Sequence, residues 1–165
     1  MKTLYIVRHA KSSWEDPLLD DFSRPLNDRG KRDAPKMAKR LKEKRINPDL
    51  MLTSPARRSL ATCKRMAEVL DYKEDKIKID RDLYHASHDQ ILSVLKLVKD
   101  KHEALMIFGH NPGITDFVNA VGNLNVDNVP TCGVVAFDLP IDSWKDISFG
   151  TGKLNFYDYP KKGKS

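Results

Sequence analysis

Leu4-Tyr5-Ile6-Val7-Arg8-His9-Ala10 is the stretch that decides the fold. Four apolar residues in a row, two of them β-branched, suit a strand covered on both faces, as parallel strands between helices are. That strand delivers Arg8 and His9 at its carboxyl end. The same arrangement recurs further along. Leu50-Met51-Leu52-Thr53 runs into Ser54, and the apolar run at 104–108 ends at Gly109-His110. Helical stretches separate these runs. Asn27 suits the cap of a helix reaching about Arg45, with Ala34, Met37, Ala38 and Leu41 on one face. Pro35 inside it predicts a kink or a later start. Ser54 or Pro55 opens a second helix carrying Leu60, Cys63, Met66, Ala67 and Leu70.

Ile77 and Ile79 alternate with lysines and predict a short strand. Residues 89–101 read as an amphipathic helix through Ile91, Leu92, Val94, Leu95 and Val98. Pro112 starts another, carrying Ile114, Phe117, Val118 and Val121. Residues 10–26, with Ser12, Ser13, Pro17 and Pro25, read as a loop. The pieces 133–139, 144–149 and 153–157 predict an antiparallel finish of three strands. Strands alternating with helices give a three-layer α/β/α sandwich with a mostly parallel central sheet. Such sheets bind ligands beyond the carboxyl ends of their strands, where Arg8-His9, Thr53-Ser54 and Gly109-His110 fall.

At 165 residues the chain predicts one domain, residues 1–160, followed by a basic tail at 161–165. No apolar run approaches the roughly 20 residues of a spanning helix, and Arg8 comes too early for a secretory leader. Cys63 and Cys132, outside any CxxC, read as reduced thiols of a cytoplasmic protein. The net charge of +6 favours anionic partners. Without an interleaved basic and aromatic motif, nucleic acid is not expected. Without an exposed apolar stripe, a monomer is expected.

Three elements carry chemistry. A neutral imidazole such as His9 is a nucleophile that accepts a phosphoryl group on nitrogen, and a guanidinium such as that of Arg8 grips phosphoryl oxygens in pairs. A structural Arg8–His9 pair is the alternative. Arg57 and Arg58 lie in the first turn of a helix, where arginines oppose the dipole unless an anion is bound. The alternative is a solvated pair. In Gly109-His110-Asn111-Pro112-Gly113, a charged His110 would stabilise a phosphoryl transition state, and Asn111 lies where free N–H groups bind an anionic oxygen. A histidine satisfied within a turn is the alternative. Arg24 either lines the pocket or pairs with Asp20 or Asp21. Trp14 either walls the site or packs elsewhere. His85 and His88 have the spacing of a helical metal pair but no third ligand nearby, so no metal is expected.

Taken in order, Arg8-His9-Ala10, Ser54-Pro55-x-x-Arg58 and Gly109-His110 resemble the histidine phosphatase superfamily, the group that includes phosphoglycerate mutase. The stretches Arg24-Pro25-Leu26-Asn27-Asp28-Arg29-Gly30, Leu83-Tyr84-His85-Ala86 and Gly109-His110-Asn111-Pro112 are similar to the short SixA-type phosphohistidine phosphatases. The resemblance implies a phosphoglycerate mutase-like fold and a phosphatase without metal or cofactor. His9 would become phosphorylated, and Arg8, Arg58 and His110 would hold the phosphoryl oxygens. Water would then hydrolyse phospho-His9. Two positions depart from the larger relatives. Glu15 stands where the mutases carry a phosphate-binding asparagine and is expected to point away. Where a glutamate acts as general acid, the nearest equivalent is His85, with Asp82 behind it. Phosphohistidine in a protein is the substrate this implies. A small phosphate ester or sugar phosphate, or phosphate binding without turnover, are the alternatives.

Overall fold

The computed structural model describes residues 1–162. Six strands form one sheet: β1 (Lys2–Arg8), β2 (Leu50–Thr53), β3 (Lys78–Ile79), β4 (Ala104–Gly109), β5 (Val134–Leu139) and β6 (Lys153–Asp158). Their order across the sheet is β3-β2-β4-β1-β5-β6. β3, β2, β4 and β1 are mutually parallel, β5 runs against β1, and β6 runs against β5. Only β5 is therefore reversed.

Alternation along the central strands divides the core. Leu4, Ile6, Leu105 and Ile107 face one side, where helices α3 (His88–Lys96) and α4 (Gly113–Gly122) pack through Ile91, Leu95, Phe117 and Val118. Val7, Met106 and Phe108 face the other side. There α1 (Asp28–Glu43) and α2 (Arg57–Val69) pack through Met37, Leu41, Cys63 and Met66. Two helices per face make the expected three-layer sandwich with a mostly parallel sheet. Each fully buried Leu, Ile, Phe or Met contributes roughly 1.5–3 kcal/mol of transfer free energy.

The chain departs from its sequence pattern in four places. α1 runs unbroken through Pro35. The carbonyl that Pro35 leaves without an N–H belongs to Lys31, which is exposed to water, while Ala34, Met37 and Ala38 keep the opposite face buried. α2 starts at Arg57, because the Ser54 hydroxyl is engaged elsewhere and Ala56, with no side-chain cap, precedes the helix. α3 begins on a Ser87–Gln90 capping box and ends at Lys96, short of residue 101. Asp100 is drawn off to accept hydrogen bonds from the Ser143 hydroxyl and the Trp144 backbone N–H. Residues 144–149 are not a strand. Trp144–Asp146 forms a single 3₁₀ turn, with the Trp144 ring fully buried and its indole N–H donating to the His102 carbonyl. β6 already occupies the open edge of β5.

Two glycines fix the loops that reach the sheet's carboxyl edge. A Cβ at Gly30 would lie 2.2 Å from the Lys11 carbonyl oxygen, so α1 presses against the chain just past His9. A Cβ at Gly113 would lie 1.9 Å from the Ala86 oxygen, so α4 holds the Tyr84–His85 segment in place. In the expected tail, Lys162 donates to the Tyr157 carbonyl, and residues 163–165 lie outside the described residues.

Candidate active site

β1 and β4 are neighbours in register, with Arg8 opposite Gly109, so His9 and His110 leave the sheet side by side. The His9 backbone N–H donates to the Gly109 carbonyl, and the two rings are 5.1 Å apart between centroids. Helix α2 supplies the next group. Arg58 is 3 % exposed and lies between the two imidazoles. Its Nε donates to His9 Nε2 at 3.3 Å and its Nη2 to His110 Nδ1 at 3.3 Å. Arg57 is exposed and turned away, as two successive helical residues about 100° apart must be.

The hydrogen bonds fix the tautomers. His9 Nδ1 lies 2.7 Å from the Ala10 carbonyl oxygen, an acceptor only, so Nδ1 carries the proton and Nε2 keeps its lone pair. Ala10 is held in turn, its N–H donating to Thr62 Oγ1, whose hydroxyl donates to the Arg58 carbonyl. His110 is the mirror case. Nδ1 accepts from Arg58, so Nε2 carries the proton and donates to Ser54 Oγ at 2.7 Å. Ser54 Oγ also accepts the Ala56 N–H. Burial first, with Arg58, Arg8 and Arg24 adding to it, pushes His9 down to about 4, although the Ala10 carbonyl pulls the other way. Burial also pushes His110 far down, helped by His9 and Arg58. Both rings are therefore neutral in the free protein near pH 7. The neutral ring already donates through Nε2, and a proton gained at Nδ1 when an anion arrives would add a second donor and a positive charge.

A cavity of about 340 Å³ opens over these groups. Arg8, His9, Arg24, Arg58, His85, His110 and Asn111 all line it. Arg8 Nη1 donates to the Val129 carbonyl, while its Nε is buried and has no partner among the described residues. Arg24 both lines the cavity and pairs with Asp21, at 3.2 Å. It also donates to Ser12 Oγ, and its guanidinium stacks 3.4 Å from the Trp14 ring centroid. Asn111 reaches the cavity but its amide is committed to the fold. It donates to Asn128 Oδ1 and the Val129 carbonyl, and it accepts from the Thr115 N–H and hydroxyl. Glu15 is exposed and does not line the cavity. Asp82 lies in a different depression, beside Asp89 and Leu97, and is no acid for this site. His88 turns toward Asp89 and Phe149 rather than toward His85.

Sequence reasoning left Asp21 as a mere partner for Arg24. Its Oδ2 accepts from Tyr84 Oη at 2.7 Å and from Arg58 Nη2 at 3.0 Å, and His85 Nε2 lies 3.1 Å from it. Its backbone carbonyl takes Arg58 Nη1 at 2.7 Å. The Asp20 side chain caps the short turn at Asp21–Ser23 and so fixes the approach. The donors Tyr84, Arg58 and Arg24 outweigh desolvation and hold the Asp21 carboxyl well below the usual range. Tyr84, by burial and the facing carboxylate, is pushed up to about 12. No spacing rule joins residue 21 to residues 58 and 84. The only sequence signal was a carboxylate three residues before Arg24.

A neutral nucleophilic nitrogen, guanidinium groups on two sides and a second imidazole form an arrangement suited to in-line phosphoryl transfer. Residues 4–121 match the family model of the histidine phosphatase superfamily, branch 1. The chain belongs to this superfamily. Its structure is similar to that of a protein from Agrobacterium tumefaciens put forward as the phosphohistidine phosphatase SixA. The two are 25% identical, with a TM-score of 0.81 covering 96% of this chain and 98% of that one. The protein histidine phosphatase SixA bound to tungstate gives the same TM-score at 18% identity, covering 96% and 97%, which speaks to the fold alone. An uncharacterized chloroplastic protein of Arabidopsis thaliana is 29% identical over 153 residues, 88% of this chain and 70% of the relative. The histidine phosphatase fold and site together make this chain a phosphatase. No helix among the described residues is long and apolar enough to cross a membrane.

Proposed function

We propose that this chain is a metal-independent phosphatase that removes the phosphoryl group from phosphohistidine in a protein by way of phospho-His9. The observation that carries the reading is the His9 ring. Its Nδ1 proton is held in a hydrogen bond to the Ala10 carbonyl, and its Nε2 lone pair accepts from Arg58 Nε at 3.3 Å. His9 Nε2 attacks phosphorus while the bond to the leaving group breaks. Arg8 and Arg58 take the equatorial oxygens, and His110, on gaining a proton, takes a third. Water then attacks phospho-His9, releasing phosphate and restoring the ring.

Two features favour a macromolecular substrate. Trp14, which lines the cavity, is 76% exposed, and Leu18 in the same loop is 93% exposed. The superfamily also holds phosphatases of small molecules, and a phosphate ester or sugar phosphate is the second reading, favoured by a cavity of about 340 Å³. Parallel assays on a phosphohistidine peptide, an aryl phosphate and a sugar phosphate, each with and without chelator, separate the readings. The proposal expects fastest turnover of the peptide, unchanged by chelator. Turnover of the sugar phosphate alone, or loss with chelator, would overturn it.

A further inference from the structure

Asp21 puts a carboxylate inside a pocket otherwise built for an anion. An ionised carboxylate next to the phosphoryl site is costly for a phosphate substrate, through direct repulsion. It is also no proton donor, because the groups around it keep it ionised. We propose that Asp21 is the specificity residue of this phosphatase: it selects a leaving group that carries its own proton, the imidazole ring of phosphohistidine, over one that departs as an oxyanion. The inference rests on the transfer to His9 described above.

Three observations support this reading. The first is that the carboxylate has room for one more donor. Oδ2 accepts from Tyr84 and Arg58, whereas Oδ1 takes only Arg24 among the described residues, and the side chain is 38% exposed at the cavity. The second is that an imidazole already stands beside this carboxylate, with His85 Nε2 3.1 Å from Oδ2. The third is that His85, which lines the cavity, is backed by aromatic rings. The Tyr84 ring lies 4.0 Å from that of His85, and Phe22 meets Tyr84 edge-on at 5.3 Å. A planar ring held against His85, with one N–H toward Asp21, is the form an incoming phosphohistidine offers.

The chemistry balances without a general acid. The P–N bond breaks as His9 Nε2 bonds to phosphorus, and its electron pair stays on the substrate nitrogen. If the far ring nitrogen holds a proton, the ring leaves as neutral imidazole. Free phosphohistidine is only partly protonated near pH 7, so a carboxylate that binds the N–H stabilises the reactive form and its transition state. With an ester, the departing oxygen gains negative charge beside Asp21, and the same carboxylate opposes the reaction.

The test is Asp21→Asn, assayed on a phosphohistidine peptide and on para-nitrophenyl phosphate. Loss of one charge-assisted hydrogen bond predicts a fall of about tenfold or more in kcat/KM for the peptide. The aryl ester shares the loosened Arg58 but not the ring N–H, so it is expected to lose clearly less, and the peptide-to-ester ratio to fall about tenfold. The ratio of the two is a readout that a merely structural role would not move. A parallel fall on both substrates, or a larger fall on the ester, would overturn the proposal. Absence of peptide turnover by the wild-type protein would remove the phosphohistidine reading and the proposal together. That result is visible in the wild-type arm alone.

Discussion

Acidification offers a quantitative probe of the proposed nucleophile. His9 is 7% exposed, and burial with three neighbouring guanidinium groups brings it down to about 4. An ordinary histidine titrates near about 6.5. At about pH 5 the His9 ring is therefore about 90% neutral, whereas an unperturbed ring would be only about 3% neutral, a roughly thirtyfold difference in available nucleophile. The stability consequence has a definite sign. As the pH falls through about 6.5 the unfolded ring takes a proton, and the folded ring does not until near 4. The protein therefore loses stability across that window, by up to about 3 kcal/mol from this ring, and the loss levels off below it. Nitrogen-15 NMR of labelled histidine rings, assigned with His9→Gln, reads the midpoint directly. Urea unfolding at about pH 7.5 and pH 5 reads the linkage, and His9→Gln is expected to lose less stability than wild type. A His9 midpoint between about 6 and 7, or an identical loss in the variant, would refute the buried, neutral nucleophile.

Other perturbations follow from the same geometry. Ser54→Ala removes the acceptor of the His110 Nε2 proton; activity is expected to fall about tenfold with a stability cost of about 1 kcal/mol, measured by steady-state kinetics and chemical unfolding. Arg58→Lys gives up the forked contact between His9, His110 and Asp21, and kcat/KM is expected to drop by roughly a hundredfold. Gly113→Ala drives a methyl group into the Ala86 carbonyl. Its expected cost is about 2 kcal/mol or more, read as a lowered urea midpoint. Isothermal titration of tungstate or phosphate near neutral pH, in buffers of different ionisation enthalpy, is expected to show uptake of a proton as His110 becomes charged. No uptake would show that His110 stays neutral in the occupied site.

The sheet and the meeting of His9, Arg58 and His110 at its edge were legible because each rests on short-range pattern. Leu4–Val7, Leu50–Thr53 and the run at 104–108 announce buried strands, and parallel strands bring their carboxyl ends together. His9, Arg58 and His110 follow from that. The stretch 144–149 misled because its alternating apolar residues fit a strand, while the size of the Trp144 ring and its indole N–H decided for a buried turn. α3 stopped early for a similar reason, a distant partner claiming Asp100. Asp21 was illegible as a site residue because its importance lies in contacts with residues 37 and 63 positions away. The charge state of His110 was hidden too, since residue type says nothing of burial or of the neighbouring guanidinium.

The most direct measurement is to quench the protein during turnover of a phosphorylated substrate and locate the phosphoryl group by mass spectrometry under alkaline conditions. An acid-labile, base-stable phosphate on residue 9, missing from His9→Ala together with product release, is the predicted result. Product release that continues in His9→Ala, or a phosphoryl group found on another side chain, would contradict the account.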